Sequence, residues 1–261
     1  MPFLKYFDDD AAELRGINAD VWPLDFLESQ RPELTTARER RTWQEYCWTC
    51  ASSFAEMVMV AEDVEVTYLD ADLMFFNDPK VIFDEIGDRS IAVIPHRLIP
   101  SKQYLEVNGK FNVSWVTFKN NSIGRECLST WAAQCREKCS ATHGCGDQKY
   151  LDAWPEKYGH ELCVIQNIGA GLAPWNLANY GLTTNAIGND GALCVYRLED
   201  LDPIPATPVI FYHLHEFKER PDGTFQLTNY ELRPEDIDLI YKPYLEAYKA
   251  AKERLAAVHV S

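Results

Sequence analysis

The chain has 261 residues, a net charge of −15, 46% hydrophobic and 12% aromatic residues. That length suits one large domain or two small ones with a sizeable core, and the composition is globular rather than disordered. The acidic balance excludes broad nucleic-acid binding, which needs a basic footprint. It still admits a phosphate-bearing small molecule, because a bound metal reverses the local field.

Met1-Pro2-Phe3 runs quickly into Asp8-Asp9-Asp10 rather than into a secretion signal, and no apolar run reaches the roughly 18 residues of a membrane span. A cytoplasmic protein with reduced cysteines is therefore expected. In chain order, Phe3 to Phe7 reads as a short strand, Asp8 to Leu14 as a helix start, and Val21 to Leu24 as a strand or loop. Arg38 to Met59 is the longest early helical stretch. Its Arg38–Arg41 cluster, with Arg31, reads as a solvated helix face, and phosphate contact is the alternative. Val64 to Leu69 suits a buried strand, ending in Asp70-Ala71-Asp72 before the turn signal Asn77-Asp78-Pro79. Ser90 to Pro95 and the alternating Phe111 to Phe118 are further strands, followed by an amphipathic helix over Ser122 to Lys138 and a short helix over Asp147 to Trp154. Leu162 to Ile165, Cys194 to Leu198 and Val209 to Leu214 complete the strands. Residues Pro234 to Val258 form a helical tail interrupted at Pro243, and its mixed charges favour packing on the rest of the chain (residues 1–233). Strands alternating with helices predict an α/β fold with a mostly parallel central sheet, whose ligands gather at the carboxyl ends of strands.

Two anionic side chains at the end of a buried strand need a compensating cation. A divalent ion bridging to a phosphate meets that need, since Mg²⁺ and Mn²⁺ are commonly held by one or two carboxylates plus substrate oxygens. Four later segments join Asp70 and Asp72. Asn112 sits at the start of an apolar strand, as an entry turn or a partner for a sugar hydroxyl. Asp147 and Gln148 follow Gly146. Asp147 reads either as a helix cap or as a carboxylate presented with an amide to a polyhydroxylated ligand. Gly169-Ala170-Gly171-Leu172-Ala173-Pro174-Trp175-Asn176 is a glycine-rich loop ending in an indole and an amide. His213-Leu214-His215 puts two imidazoles on one strand face. Two cysteine groups stand apart. Cys47-Trp48-Thr49-Cys50 has CxxC spacing within a helix. Cys135, Cys139, His143 and Cys145 match no common zinc module, so small buried thiols are expected, with structural zinc as the alternative.

In this order, Leu-Asp-Ala-Asp, the Asn-bearing strand, Gly-Asp-Gln-x-Tyr-Leu-Asp, Leu-Ala-Pro-Trp-Asn and His-x-His resemble bacterial nucleotide-diphospho-sugar glycosyltransferases of the GT-A fold. The similarity is to family 8, the glycogenin and lipopolysaccharide galactosyltransferase group, and covers roughly Phe3 to Phe217. The resemblance implies that Asp70, Asp72 and one of His213 or His215 hold Mn²⁺ or Mg²⁺ against the donor diphosphate. It implies that Asp147 and Gln148 face the transferring sugar, that Asn112 contacts it, and that Gly171, Trp175 and Asn176 line the sugar or acceptor side. Transfer to a glycan or lipid-linked glycan with retention is then expected, in the cytoplasm or at the inner membrane face. Lys5 to Asp10 resembles the family's second strand, so the usual first strand and helix are expected to be missing. The rivals are an aspartate-based phosphohydrolase, for which Met74 is the wrong residue after the acidic pair, and a non-catalytic sugar-binding relative.

Overall fold

The computed structural model describes residues 22–142, 146–184, 191–199 and 206–258. The expected strand Phe3 to Phe7 and helix start Asp8 to Leu14 lie outside the described residues, as do His143 and Cys145. The described chain is mixed α/β. It opens with helices α1 (Leu24–Gln30), α2 (Glu33–Arg40) and α3 (Trp43–Glu62), so the single helix expected over Arg38 to Met59 is broken at Arg41. The break has a local cause. Thr42 caps α3 by accepting from the Glu45 amide, and the Glu45 carboxylate reaches back to the Thr42 amide, a reciprocal box that fixes the helix start. Strand β1 (Val66–Leu69) and strand β2 (Leu73–Phe75) follow, then α4 (Lys80–Ile86), β3 (Ile91–Pro95), a 3-10 helix (Pro100–Asn108) and β4 (Phe111–Phe118). Helix α5 (Ser122–Glu137) leads to a 3-10 helix (Gln148–Ala153), α6 (Trp154–Tyr158) and β5 (Leu162–Val164). The remaining elements are β6 (Tyr180–Thr183), β7 (Cys194–Arg197), β8 (Thr207–Pro208), β9 (Phe211–His213), β10 (Lys218–Glu219), β11 (Phe225–Gln226), α7 (Pro234–Asp236), a π turn (Ile237–Tyr241) and α8 (Lys242–Val258).

The central sheet has the order β1-β4-β3-β5. It is mixed rather than mostly parallel: β4 runs antiparallel to both β1 and β3, and only β3 and β5 pair parallel. Strand β4 is the reason. It enters between β1 and β3 in the reverse sense, so each of its two ladders is antiparallel. All eight of its residues are buried, as a strand covered on both faces requires. One face packs Val116 and Phe118 against Trp131 of α5 and Trp154 of α6, and the other places Trp115 against Ile82, Ile86 and Phe211. Strand β1, expected to be buried, is an edge strand with Leu69 exposed.

A second ladder, absent from the sequence expectations, pairs β2 antiparallel with β9: Leu73 with His213, Met74 with Tyr212 and Phe75 with Phe211. The tail is continuous across Pro243. The π turn widens the helix just before the proline, whose ring and missing amide disfavour an ordinary turn there. Ile240 and Tyr241 bury against Leu172 and Tyr212, with the Tyr212 and Tyr241 hydroxyls 3.0 Å apart. No described helix is long and apolar enough to cross a membrane.

The Trp115–Phe211 stack, 5.7 Å between centroids, joins the central sheet to the β2–β9 ladder. Phe211→Ala is expected to cost about 3–5 kcal/mol, the range for deleting a buried ring, read as a lower urea midpoint at unchanged slope. A loss below about 1 kcal/mol would show that this stack is not a main anchor.

Candidate metal centre

Asp70 stands just past the carboxyl end of β1, and the turn at Ala71-Asp72 leads the chain into β2. Two backbone bonds fix that turn. The Asp70 amide donates to the Ser114 carbonyl at 3.4 Å, and the Leu214 amide donates to the Asp72 carbonyl at 2.8 Å. The second bond extends the β2–β9 ladder by one residue and carries His213 over the carboxylates. His213 Nε2 lies 3.0 Å from Asp72 Oδ1 and 3.8 Å from Asp70 Oδ2. One ligand atom from each of Asp70, Asp72 and His213 lies within 4.8 Å of the others. His215 is outside this group. Its ring is 5.8 Å from that of His213, and both pack edge-on against Trp175.

The electrostatics follow from burial. Desolvation raises the Asp70 carboxyl, with the Asp72 charge adding to it and His213 and the Tyr68 hydroxyl partly offsetting it. Burial acts the same way on Asp72, but the hydrogen bond and charge of His213 outweigh it and the carboxyl falls below its ordinary value. For His213, burial opposes the charged ring, yet Asp72 and then Asp70 raise it. His215, without such a bond, is lowered by burial and by the His213 charge.

The other sequence-selected residues surround this cluster unequally. Asp147 is 3% exposed, makes no side-chain cap bond to the helix it precedes, and leaves Oδ2 without a partner among the described residues. Burial holds its carboxyl well above the usual range, and the charges of Cys139 and Asp70 push the same way. Gln148 is anchored by Nε2 to the Asn108 carbonyl at 3.0 Å. Asn112 lies beside the irregularity in β4 where its register with β3 shifts. Its Oδ1 accepts from the Ser114 amide, and Nδ2 faces His96 Nε2 at 3.2 Å. Gly171 has φ +75°, and a Cβ there would meet Ile94 Cδ1 at 2.3 Å. Asn176 is fully buried, its amide donating to the His96 and Gly171 carbonyls while its oxygen accepts from the Ala173 amide, so it holds the glycine loop together. Trp175 donates Nε1 to the His96 carbonyl at 2.9 Å, which aims the indole at both imidazoles.

Sequence reasoning passed over His96 and Arg97. The signal was present: both follow Pro95 at the carboxyl end of β3, where α/β ligands gather. Burial lowers the His96 ring to about 4, so it is neutral at pH 7. The Arg97 guanidinium donates to the carbonyls of Ile165, Asn167 and Ala170 and thereby shapes the glycine loop. The arginine cluster is structural: Arg31 pairs with Glu56, Arg38 with Glu28, and Arg41 donates to the Cys135 and Arg136 carbonyls.

The fold and this cluster define a mixed α/β protein with a candidate Asp–Asp–His cation site. No protein-family model matches the sequence. The chain is 35% identical over 229 residues to the uncharacterized protein YfnD of Bacillus subtilis (strain 168), covering 84% of this chain and 69% of YfnD. It is 31% identical over 232 residues to the uncharacterized protein YfnF of the same organism, covering 83% of this chain and 72% of YfnF. The chain belongs to the family of YfnD and YfnF.

In the metal-free protein, the raised His213 binds its proton more tightly folded than unfolded. This contribution to stability is fully present below the unfolded value of about 6.5 and is lost as pH rises through the folded value. Asp72→Asn removes the carboxylate that outweighs burial. An NMR titration of the imidazole is expected to show a value above the ordinary one in the parent and below it in the variant. Equal values would contradict the assigned cause.

Proposed function

We propose that the protein is a metal-dependent glycosyltransferase of GT-A-like fold, moving a sugar from a nucleoside diphosphate to the hydroxyl of a glycan or lipid-linked glycan in the cytoplasm or at the inner membrane face. One observation carries the proposal: the resemblance implies Asp70, Asp72 and one of His213 or His215 as cation ligands, and His213, far along the chain from the two carboxylates, lies with them within 4.8 Å. Two carboxylates and one imidazole suit Mn²⁺ well and Mg²⁺ acceptably. A bound ion would act as a Lewis acid on the diphosphate as it leaves.

The chain's own groups divide the remaining work. Tyr68 donates its hydroxyl to Asp70 Oδ1 at 2.9 Å, fixing one carboxylate rotamer and leaving Oδ2 turned to His213. The Trp175 indole excludes water from one side of His213. Asp147 offers the unpartnered Oδ2 as a contact for a sugar hydroxyl. The cost of a buried unsatisfied oxygen, about 1–3 kcal/mol, is relieved when that contact forms. Gln148, tethered to Asn108, adjoins it, and Asn112 and His96 form the floor between β4 and the Trp175 loop. Retention is what the resemblance suggests, and with no clean nucleophile among the described side chains of the site, same-face substitution is the route to it, Asp147 and Gln148 holding the transferring sugar.

A thermal-shift screen of nucleoside diphosphates and nucleotide sugars, with and without Mn²⁺, tests the proposal. One donor base with Mn²⁺ is expected to stabilise the protein by about 2.7 kcal/mol at a hundredfold excess over Kd. Slow Mn²⁺-dependent hydrolysis of the matching nucleotide sugar should accompany it, and Asp72→Ala should abolish both. Turnover of a generic aryl phosphate, or glycan binding with no nucleotide response, would overturn it.

A further inference from the structure

The segment between β3 and β4 carries a 3-10 helix of nine residues, Pro100–Asn108, none of them buried. Runs of that length are uncommon and need support from outside the helix. The three-residue repeat places Lys102, Leu105 and Asn108 on one ridge and Ser101, Tyr104 and Val107 on another. The first ridge is half-buried and the second exposed, so the helix rests on its Lys102 side. Both ends of that inner ridge are tied to the candidate site. The Asn108 carbonyl accepts from Gln148 Nε2 at 3.0 Å, and Lys102 Nζ stands 4.2 Å from the centroid of the Tyr230 ring. Where the segment leaves β3, the His96 carbonyl accepts from Trp175 Nε1 and Asn176 Nδ2.

A row of rings leads from the ammonium to the metal group. The Tyr230 centroid is 6.2 Å from that of His215, and His215 is 5.8 Å from His213. Among the described residues Lys102 reaches no carboxylate at ion-pair distance, and the face of Tyr230 holds it instead. That hold is weak on a ring open to solvent, and the flexible four-carbon stem leaves the ammonium free to turn. The other cations around the site are committed or neutral. Arg97 serves the carbonyls of Ile165, Asn167 and Ala170, Lys149 pairs with Asp152, and Arg233 pairs with Asp236. Lys218 is exposed on β10.

We propose, on the reading of this site as a glycosyltransferase centre, that Lys102 is a donor-binding residue whose ammonium leaves the Tyr230 face to take a diphosphate oxygen on the His215 side of Asp70, Asp72 and His213. The charge balance calls for such a group. Two ionised carboxylates cancel a divalent ion, and His213 ligates as a neutral ring, so the filled group carries no surplus positive charge. The diphosphate is itself anionic and gains a further negative charge as the sugar departs. A lysine placed where that charge develops stabilises the departing group, and a compact ammonium suits a phosphate oxygen. Tyr230 is then a positioning residue, which keeps the ammonium beside the site while no diphosphate is bound.

The test uses the full chain and inorganic pyrophosphate, which presents the diphosphate without a base or a sugar. Calorimetry is expected to show that the parent binds Mn²⁺ alone, and binds pyrophosphate more tightly with Mn²⁺ than without it. Lys102→Met keeps an apolar stem over Tyr230 and removes the charge. It is expected to keep the parent's Tm and Mn²⁺ affinity while losing about tenfold to a hundredfold in pyrophosphate affinity, the worth of a hydrogen bond to a charged group. Rising salt should weaken pyrophosphate binding more steeply in the parent than in Lys102→Met, which lost packing alone does not produce. Lys102→Arg should return the affinity to within a few fold of the parent. Parent-like pyrophosphate affinity and salt dependence in Lys102→Met, or a loss that appears in Lys218→Ala in its place, would overturn the assignment of Lys102 and leave the proposed function standing. A parent that binds neither Mn²⁺ nor Mn²⁺ with pyrophosphate would overturn both.

Discussion

Three residue pairs between Leu73–Phe75 and Phe211–His213 hold the candidate site together. Without that short antiparallel ladder, Asp70 and Asp72 are two acids on a surface turn, and His213 belongs to a distant part of the chain. With it, the Leu214 amide closes on the Asp72 carbonyl and the His213 amide on the Leu172 carbonyl, at 2.8 Å each. One strand thus sits between the acidic turn and the glycine loop. A two-stranded ladder of three residue pairs gives little stability by itself. The ladder persists because Phe211 stacks on Trp115 and Tyr212 packs under Tyr241 of the tail.

The charges gathered there are only partly balanced. His213 offsets Asp72 through a direct bond and Asp70 at a longer distance, while the Asp147 carboxyl is held up by burial and by its acidic neighbours. A carboxylate pair with one imidazole makes a site short of positive charge, beside a buried carboxyl with an open oxygen. The His213 Nδ1 also lacks a partner among the described residues. The ring is held by its strand and by the edge-on Trp175 indole instead.

Much of this was legible in the sequence, for reasons that differ by residue. Strands β3 and β4 and helix α5 were readable because their patterns are dense: Ile91 to Ile94 is continuously apolar, and α5 buries Cys127, Leu128, Trp131 and Cys135 on one face. Asp70 and Asp72 were readable because adjacent acids after a strand have few purely structural uses. Strand β2 was not, since three residues immediately after a turn carry no period. The direction of β4 was not either, because pairing sense depends on a partner that local sequence does not encode. His213 and His215 could not be separated from one another: period-2 spacing puts both on one face, and only the register against Leu73 decides which reaches Asp72. Asn176 suited a ligand contact by residue type, yet its buried amide is consumed by loop carbonyls.

The most direct measurement is a Mn²⁺ titration followed by electron paramagnetic resonance on the parent, His213→Ala and His215→Ala. One tight ion per chain is expected in the parent, an affinity loss in His213→Ala at least as large as the roughly tenfold to hundredfold seen when a ligand's outer partner is removed, and near-parent binding in His215→Ala. Equal weakening by both substitutions, or parent-like binding in His213→Ala, would contradict the claim that the β2–β9 register selects His213 as the third ligand.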